Sequence, residues 1–191
     1  MEAHTAAGKL QGLAGDAVWY EAAFVVGITN AMNVVADSLD HVASFAPVDD
    51  ARPSSEVAAL FSEVRAFYER RDVPEVFRLL AHDPPYLGDF FKAVRRAFGD
   101  RRLTRRVKEA LAFAVSVTSR SRFGAAFHLD EMRRLGVTER GVLEVLGVTQ
   151  MFSSYTKIAD TLQLESDMRD IAPVDRSPAP GAEADTNSRA T

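Results

Sequence analysis

The sequence predicts an all-α protein, a bundle of about seven helices in a single domain, on three observations. Apolar residues recur at i, i+3, i+4 and i+7 almost throughout, and no segment alternates with the period of two that a half-buried strand requires. Pro47, Pro74, Pro84 and Pro85, with Gly99 and Gly136, fall between the periodic runs, where they open or stop helices. The chain has 191 residues, enough for one sizeable core and too few for two ordinary ones.

Residues 1–14 and 171–191 are rich in Ala, Gly, Pro, Ser and charge and read as disordered tails, leaving one domain over 15–170. An N-terminal helix lies within 16–44, its pattern running from Trp19 to about Ser44, and is closed by Pro47 and the acidic linker PVDDARPSS. Val57, Leu60, Phe61, Val64 and Phe67 mark a second helix that ends near Arg71. PEVFRLLAH is a short third, with Pro74 in its first turn. Leu87, Phe90, Phe91, Val94 and Phe98 face inward on a fourth that stops at Gly99. A fifth covers Thr104–Thr118, a sixth Ser121–Leu135, and a seventh Thr138–Leu164. VVGIT at 25–29 echoes VLGVT at 145–149, and VADSL at 35–39 echoes IADTL at 158–162, so the first and last helices read either as copies of one element or as two apolar helices alike by chance.

A net charge of −4 and a pI near 5.6 argue against a nucleic-acid partner. The arginines at 95, 96, 101, 102, 105 and 106 read as a solvated helix end and its loop. With no cysteine among the 191 residues, disulfides, thiolate metal sites and thiol catalysis are excluded. No apolar run is expected to reach the ~18 residues that span a bilayer, and no basic region precedes an apolar core at the start, so the expectation is a cytoplasmic protein with no membrane partner.

If the fifth and sixth helices form an antiparallel hairpin turning at 118–120, Glu109 and His128 stand equally far from the turn, each roughly 14 Å down its helix, and are neighbours. Ser121, Gly124 and His128 share one stripe of the sixth helix, so the pair sits at the end of a groove floored by small residues. A carboxylate and an imidazole so placed either satisfy each other in a core or form an acid/base pair.

These residues carry a resemblance. Glu109, Ser121, Gly124 and His128 reproduce the spacing E-x11-C-x2-C-x3-H of the AhpD-like family, with serine and glycine in place of the cysteines. The flanking segments LFSEVRAFYERRDVPEVFRLLAHDPPYLGDFFKAV and LTRRVKEALAFAVSVTSRSRFGAAFHLDEMRRLGVTERGV also resemble the alkylhydroperoxidase and carboxymuconolactone decarboxylase superfamily, over roughly residues 56–164. The resemblance implies an AhpD-like helical bundle, a homo-oligomer, and no thiol peroxidase activity, since a serine cannot cycle through sulfenic acid and disulfide. It leaves as its nearest functional model the decarboxylase branch: cofactor-independent acid/base chemistry of decarboxylase, isomerase or cyclase type on a small organic anion.

In that reading His128 is the general acid or base and Glu109 orients it. Ser121 donates to a substrate oxygen beside the backbone of Gly124, Arg120 or Arg122 holds the anion, and Tyr155 lines the pocket, with Lys157 undecided between pocket and surface. No metal or other cofactor is expected. His82 and His41 read as helix-end residues, and a metal site of Glu109, His128 and His82 lacks any ligand-spacing motif. Two alternatives stand beside it. One is a non-catalytic AhpD-like binding or assembly protein; the other is a hydrolase using Ser121, His128 and Glu109, against which the two helical turns between Ser121 and His128 weigh. Trp19, Tyr20 and Phe24 read as core or subunit contact, and the first helix as an interface or a lid over the groove. A groove filled by Phe123 or Phe127 favours the binding or assembly reading, a retained pocket the enzyme.

Overall fold

The computed structural model describes residues 16–39 and 45–164. The expected tails at 1–14 and 171–191, and His41, lie outside the described residues. Within Asp16–Leu164, one compact unit, the helices are α1 Asp16–Leu39, α2 Ser55–Tyr68, α3 Glu75–Leu80, α4 Pro84–Phe98, α5 Arg105–Thr118, α6 Arg122–Arg134 and α7 Glu139–Leu162. No strand occurs among the described residues.

Local chemistry sets the boundaries. Ser54, Asp83, Thr104, Ser121 and Thr138 each accept a backbone N–H of the helix that follows, so five of the seven helices start on a side-chain cap. Pro84 and Pro85, which end the preceding run, occupy the first turn of α4, where a missing N–H costs nothing. Arg120, at φ 62°, reverses the chain between α5 and α6 within three residues, a left-handed conformation unusual for a side chain of that size.

The α5/α6 hairpin is a wall with a core on each side. On one side α1, α2, α3 and α4 pack Phe61, Phe77, Phe91 and Phe98 together with Tyr68 and Phe127. Their rings meet edge-on: Phe77 and Phe91 lie 5.5 Å apart, Tyr68 and Phe127 5.3 Å. On the other side Phe113 and Met132 of the hairpin meet Val142, Val145 and Leu146 of α7. Val25 and Thr29 in α1 and Thr149 in α7, matched positions of the sequence echo, are all buried.

α1 corrects one expectation. Ala17–Leu39 is long and apolar enough to cross a membrane by length and composition, with a mean hydropathy of 1.4. Glu21, Thr29, Asn33 and Asp37 interrupt the apolar run and hide its length, and three of these polar groups tie α1 to α5 and α6. Glu21 accepts from the amides of Arg102 and Leu103 and pairs at 3.2 Å with Lys108, which is fully buried. Asn33 and Asp37 bind further along, at Ser116 and Ser121, so α1 runs beside α5 in the same direction. Phe24 packs into the core, whereas Trp19 and Tyr20 on the same helix are exposed.

Burial pushes the Glu21 carboxyl up, but the Leu103 and Arg102 amides and the Lys108 ammonium outweigh it, and the net shift is downward. A carboxyl whose folded value is depressed adds stability above its unfolded value and loses it as the pH falls through the folded one. Glu21→Gln should therefore cost about 3 kcal/mol at neutral pH, because it leaves the buried Lys108 ammonium with the Gly99 carbonyl but no counter-charge. That difference should shrink as the pH drops below the ordinary carboxylate range. Urea midpoints of both proteins across pH 3–8 measure it, and equal midpoints at pH 7 would show that the Glu21–Lys108 tie does not hold α1.

Candidate functional site

Glu109 on α5 and His128 on α6 meet as the hairpin requires: His128 Nδ1 lies 2.8 Å from Glu109 Oε2. A carboxylate can only accept, so the imidazole donates from Nδ1. The pair is 0% and 1% exposed. The ring lies flat against Phe98 at 5.7 Å, with Phe127 edge-on at 5.1 Å, and Nε2 has no hydrogen-bond partner within the protein.

The pair belongs to a larger buried charge cluster. Arg105, one turn before Glu109, donates to Glu109 Oε1 at 3.4 Å, to Glu131 Oε2 at 3.1 Å and to the Phe67 carbonyl at 2.7 Å. Its guanidinium also covers the Phe67 ring at 4.2 Å and the Tyr68 ring at 5.0 Å. Glu131, 0% exposed, takes Arg134 at 2.9 Å and faces Arg70 at 3.7 Å. Burial, and next the Glu109 charge, push the Tyr68 phenol far up, so it stays protonated. The two buried carboxylates thus face three arginines, two of which also reach outward to Glu69 and Asp130. Sequence reasoning missed Arg105, Glu131 and Arg134, although the signal was present: Arg105 is i−4 to Glu109, Glu131 is i+3 to His128, and Arg134 is i+3 to Glu131.

Toward the turn the groove is filled. Ser121, Gly124 and His128 do share one buried stripe, but Asn33 of α1 occupies the space over it. Asn33 Nδ2 donates to Ser116 Oγ at 3.2 Å and to Ser119 Oγ at 3.1 Å, and Ser116 Oγ lies 3.3 Å from Asn33 Oδ1. A Cβ at Gly124 would come within 2.5 Å of Ser116 Oγ and closer still to Asn33 Oδ1. The Ser121 hydroxyl is committed twice: it caps α6 by accepting from the Gly124 amide at 3.0 Å, and it donates to Asp37 of α1 at 3.1 Å. It makes no bond to His128, whose Nε2 is unpartnered. The open groove expected from the small residues is therefore corrected, and of the two roles foreseen for the first helix, α1 takes that of a cover.

The remaining candidates lie apart from the pair. Arg120 and Arg122 are exposed at the hairpin turn, and Tyr155 is 65% exposed on α7, as is its neighbour Lys157. His82 Nε2 binds the Ala46 carbonyl at 2.8 Å, which fixes the start of the described linker after α1. Among the described residues no three His, Asp or Glu side chains converge as metal ligands.

Residues 85–164 match the carboxymuconolactone decarboxylase family. The fold matches the crystal structure of the alkylhydroperoxidase AhpD core from Rhodospirillum rubrum ATCC 11170 with a TM-score of 0.62 and 27% sequence identity, over 65% of this chain and 94% of that one. No curated protein matches the chain. The family segment spans α4 to α7, so α1, whose Asn33 and Asp37 cover the hairpin, lies outside it.

Gly124→Ala tests the filling of the groove directly. The added methyl meets Asn33 and Ser116, and overpacking of this kind costs about 1–3 kcal/mol. Asn33→Ala in the same chain should return part of that loss, a coupling readable in a urea double-mutant cycle. A neutral Gly124→Ala would mean that Asn33 does not occupy the stripe.

Proposed function

From a chain whose residues 85–164 are a carboxymuconolactone decarboxylase family segment, and whose fold is that of the AhpD core without the cysteine pair, we propose a non-catalytic binding or assembly protein built on an enzyme scaffold. The observation that carries this reading is the sealing of the inherited site. Glu109 and His128 are withdrawn from solvent, and the two positions that hold cysteines in the redox members are capped and covered by α1. His128 itself is 1% exposed, and Asn33 and Asp37 fill the stripe beside it at Gly124 and Ser121. The charge cluster around Glu109 and Glu131 instead fastens α5, α6 and the end of α2 together, which is a structural task.

One observation favours a second reading, cofactor-independent acid/base chemistry on a small organic anion. His128 Nε2 is buried with no protein partner, and a buried polar atom left so is a free energy cost of about 1–3 kcal/mol that a bound molecule would relieve. In that reading α1 must swing away, and His128 then exchanges a proton with the substrate while Glu109 holds Nδ1. The serine hydrolase reading has no such support, because the Ser121 hydroxyl is spent on Asp37 and Gly124.

Carbon dioxide release from carboxymuconolactone, with a panel of small lactones and carboxylates run alongside, separates the two readings. The binding or assembly reading expects wild type and His128→Gln to be alike, both at the background rate. Turnover by wild type that falls at least a hundredfold in a folded His128→Gln protein would establish the acid/base enzyme instead.

A further inference from the structure

The loop that joins α2 to α3 and the last turn of α6 enclose a cleft of about 390 Å³, at the small end of ligand pockets. Glu69 to Pro74 form one wall and Arg134 the other. The loop is held from behind: Arg65 Nε donates to the Arg71 carbonyl at 2.8 Å, the Val73 amide donates to Asp50 Oδ2 at 3.1 Å, and Arg65 pairs with that same oxygen at 3.2 Å. The shape of the cleft is therefore set before anything enters it. Its charges are unequally committed. Arg134 and Glu69 hold each other at 2.6 Å, and Arg134 also holds Glu131. Arg71 and Asp72 are exposed, and neither side chain makes an ion pair among the described residues. Arg70 reaches only long contacts, 3.5 Å to Asp130 Oδ2 and 3.7 Å to Glu131 Oε1. That Glu131 oxygen is buried and accepts no hydrogen bond. The buried charge cluster thus meets the cleft at Arg70, with a carboxylate one hydrogen bond short and guanidinium donors unused.

We infer that this cleft binds a small zwitterion, an α-amino acid with a short apolar side chain. Its carboxylate takes the forks of Arg71 and Arg70. Its ammonium is drawn to Asp72 and, as Arg70 turns outward to the carboxylate, to the uncovered Glu131 Oε1. The apolar side chain rests on Val73 and Pro74, which also line the cleft. An anion alone would leave Asp72 and Glu131 unmatched, and a cation alone would leave Arg70 and Arg71 so; a molecule carrying both charges on one carbon matches both sets. The inference goes beyond the proposed function, because the cleft uses neither His128 nor the stripe under α1 and stands or falls apart from them.

Titration of the full chain with L-valine, followed in amide proton–nitrogen correlation spectra, should shift residues 69–74 and 131–135 and saturate in the millimolar range. Isovalerate and isobutylamine, which keep the branched side chain with one charge each, should bind at least tenfold more weakly. Arg71→Ala and Asp72→Asn, both at exposed positions, should each weaken valine at least fivefold with unchanged thermal midpoints. Unshifted amides at 69–74, a half-molecule that binds as tightly as valine, or indifference to either substitution overturns the inference. So does loss of valine binding in a folded His128→Gln protein, which would place the ligand at the buried pair. Valine binding retained in His128→Gln, together with His128-dependent carbon dioxide release, would uphold this site and overturn the non-catalytic reading.

Discussion

The hydrogen bond between His128 and Glu109 is the contact on which the arrangement depends. It joins two helices through residues 19 apart in sequence, and it is tolerated because the buried carboxylates beside it face arginines. Arg105 neutralises Glu109 and Glu131 together, Arg134 binds Glu131 Oε2, Arg70 lies 3.7 Å from an Oε1 that makes no hydrogen bond, and the rings of Phe67, Tyr68, Phe98 and Phe127 pack around the cluster. Breaking one member strands the others in a medium where a lone charge costs several kilocalories per mole. The two cores lie on either side of this hairpin.

The same constraint governs the stripe toward the hairpin turn. Ser121 and Gly124 leave room beside α5, and protein interiors do not keep such room empty. Asn33 enters it, and the surrounding hydroxyls of Ser116, Ser119 and Ser121 satisfy its amide and the adjacent Asp37. A polar plug in an apolar helix also gives α1 its position. Glu21 anchors one end at Lys108 and Asn33 the other at Ser116, so a helix with the hydropathy of a membrane span lies on the hairpin in one register.

Much of this was legible in the sequence. The helices follow from periodicity and punctuation, and the meeting of Glu109 with His128 follows from their equal distance to the turn, since a hairpin pairs residues by arithmetic. Glu131 and Arg134 are marked in the sequence as well, by their i+3 spacings from His128 and from Glu131. The plug was not. Asn33 and Ser116 are 83 residues apart, and nothing local marks an asparagine that will cross between helices; small residues at 121 and 124 predict a gap and cannot say what fills it. The exposed apolar side chains of α7, Tyr155 among them, illustrate the same limit, because periodicity shows that a face is apolar without showing that the helix has turned it away from its own core.

The central claim is that Glu109 and His128 hold the fold together as a coupled pair, and a double-mutant cycle of Glu109→Gln and His128→Ala in urea measures it without reference to any substrate. The account predicts that each single change lowers stability by about 2–4 kcal/mol and that the double mutant loses less than the sum by at least about 1 kcal/mol. Single mutants as stable as wild type, or more stable, with additive effects, would contradict it and mark a pair kept at some cost for chemistry.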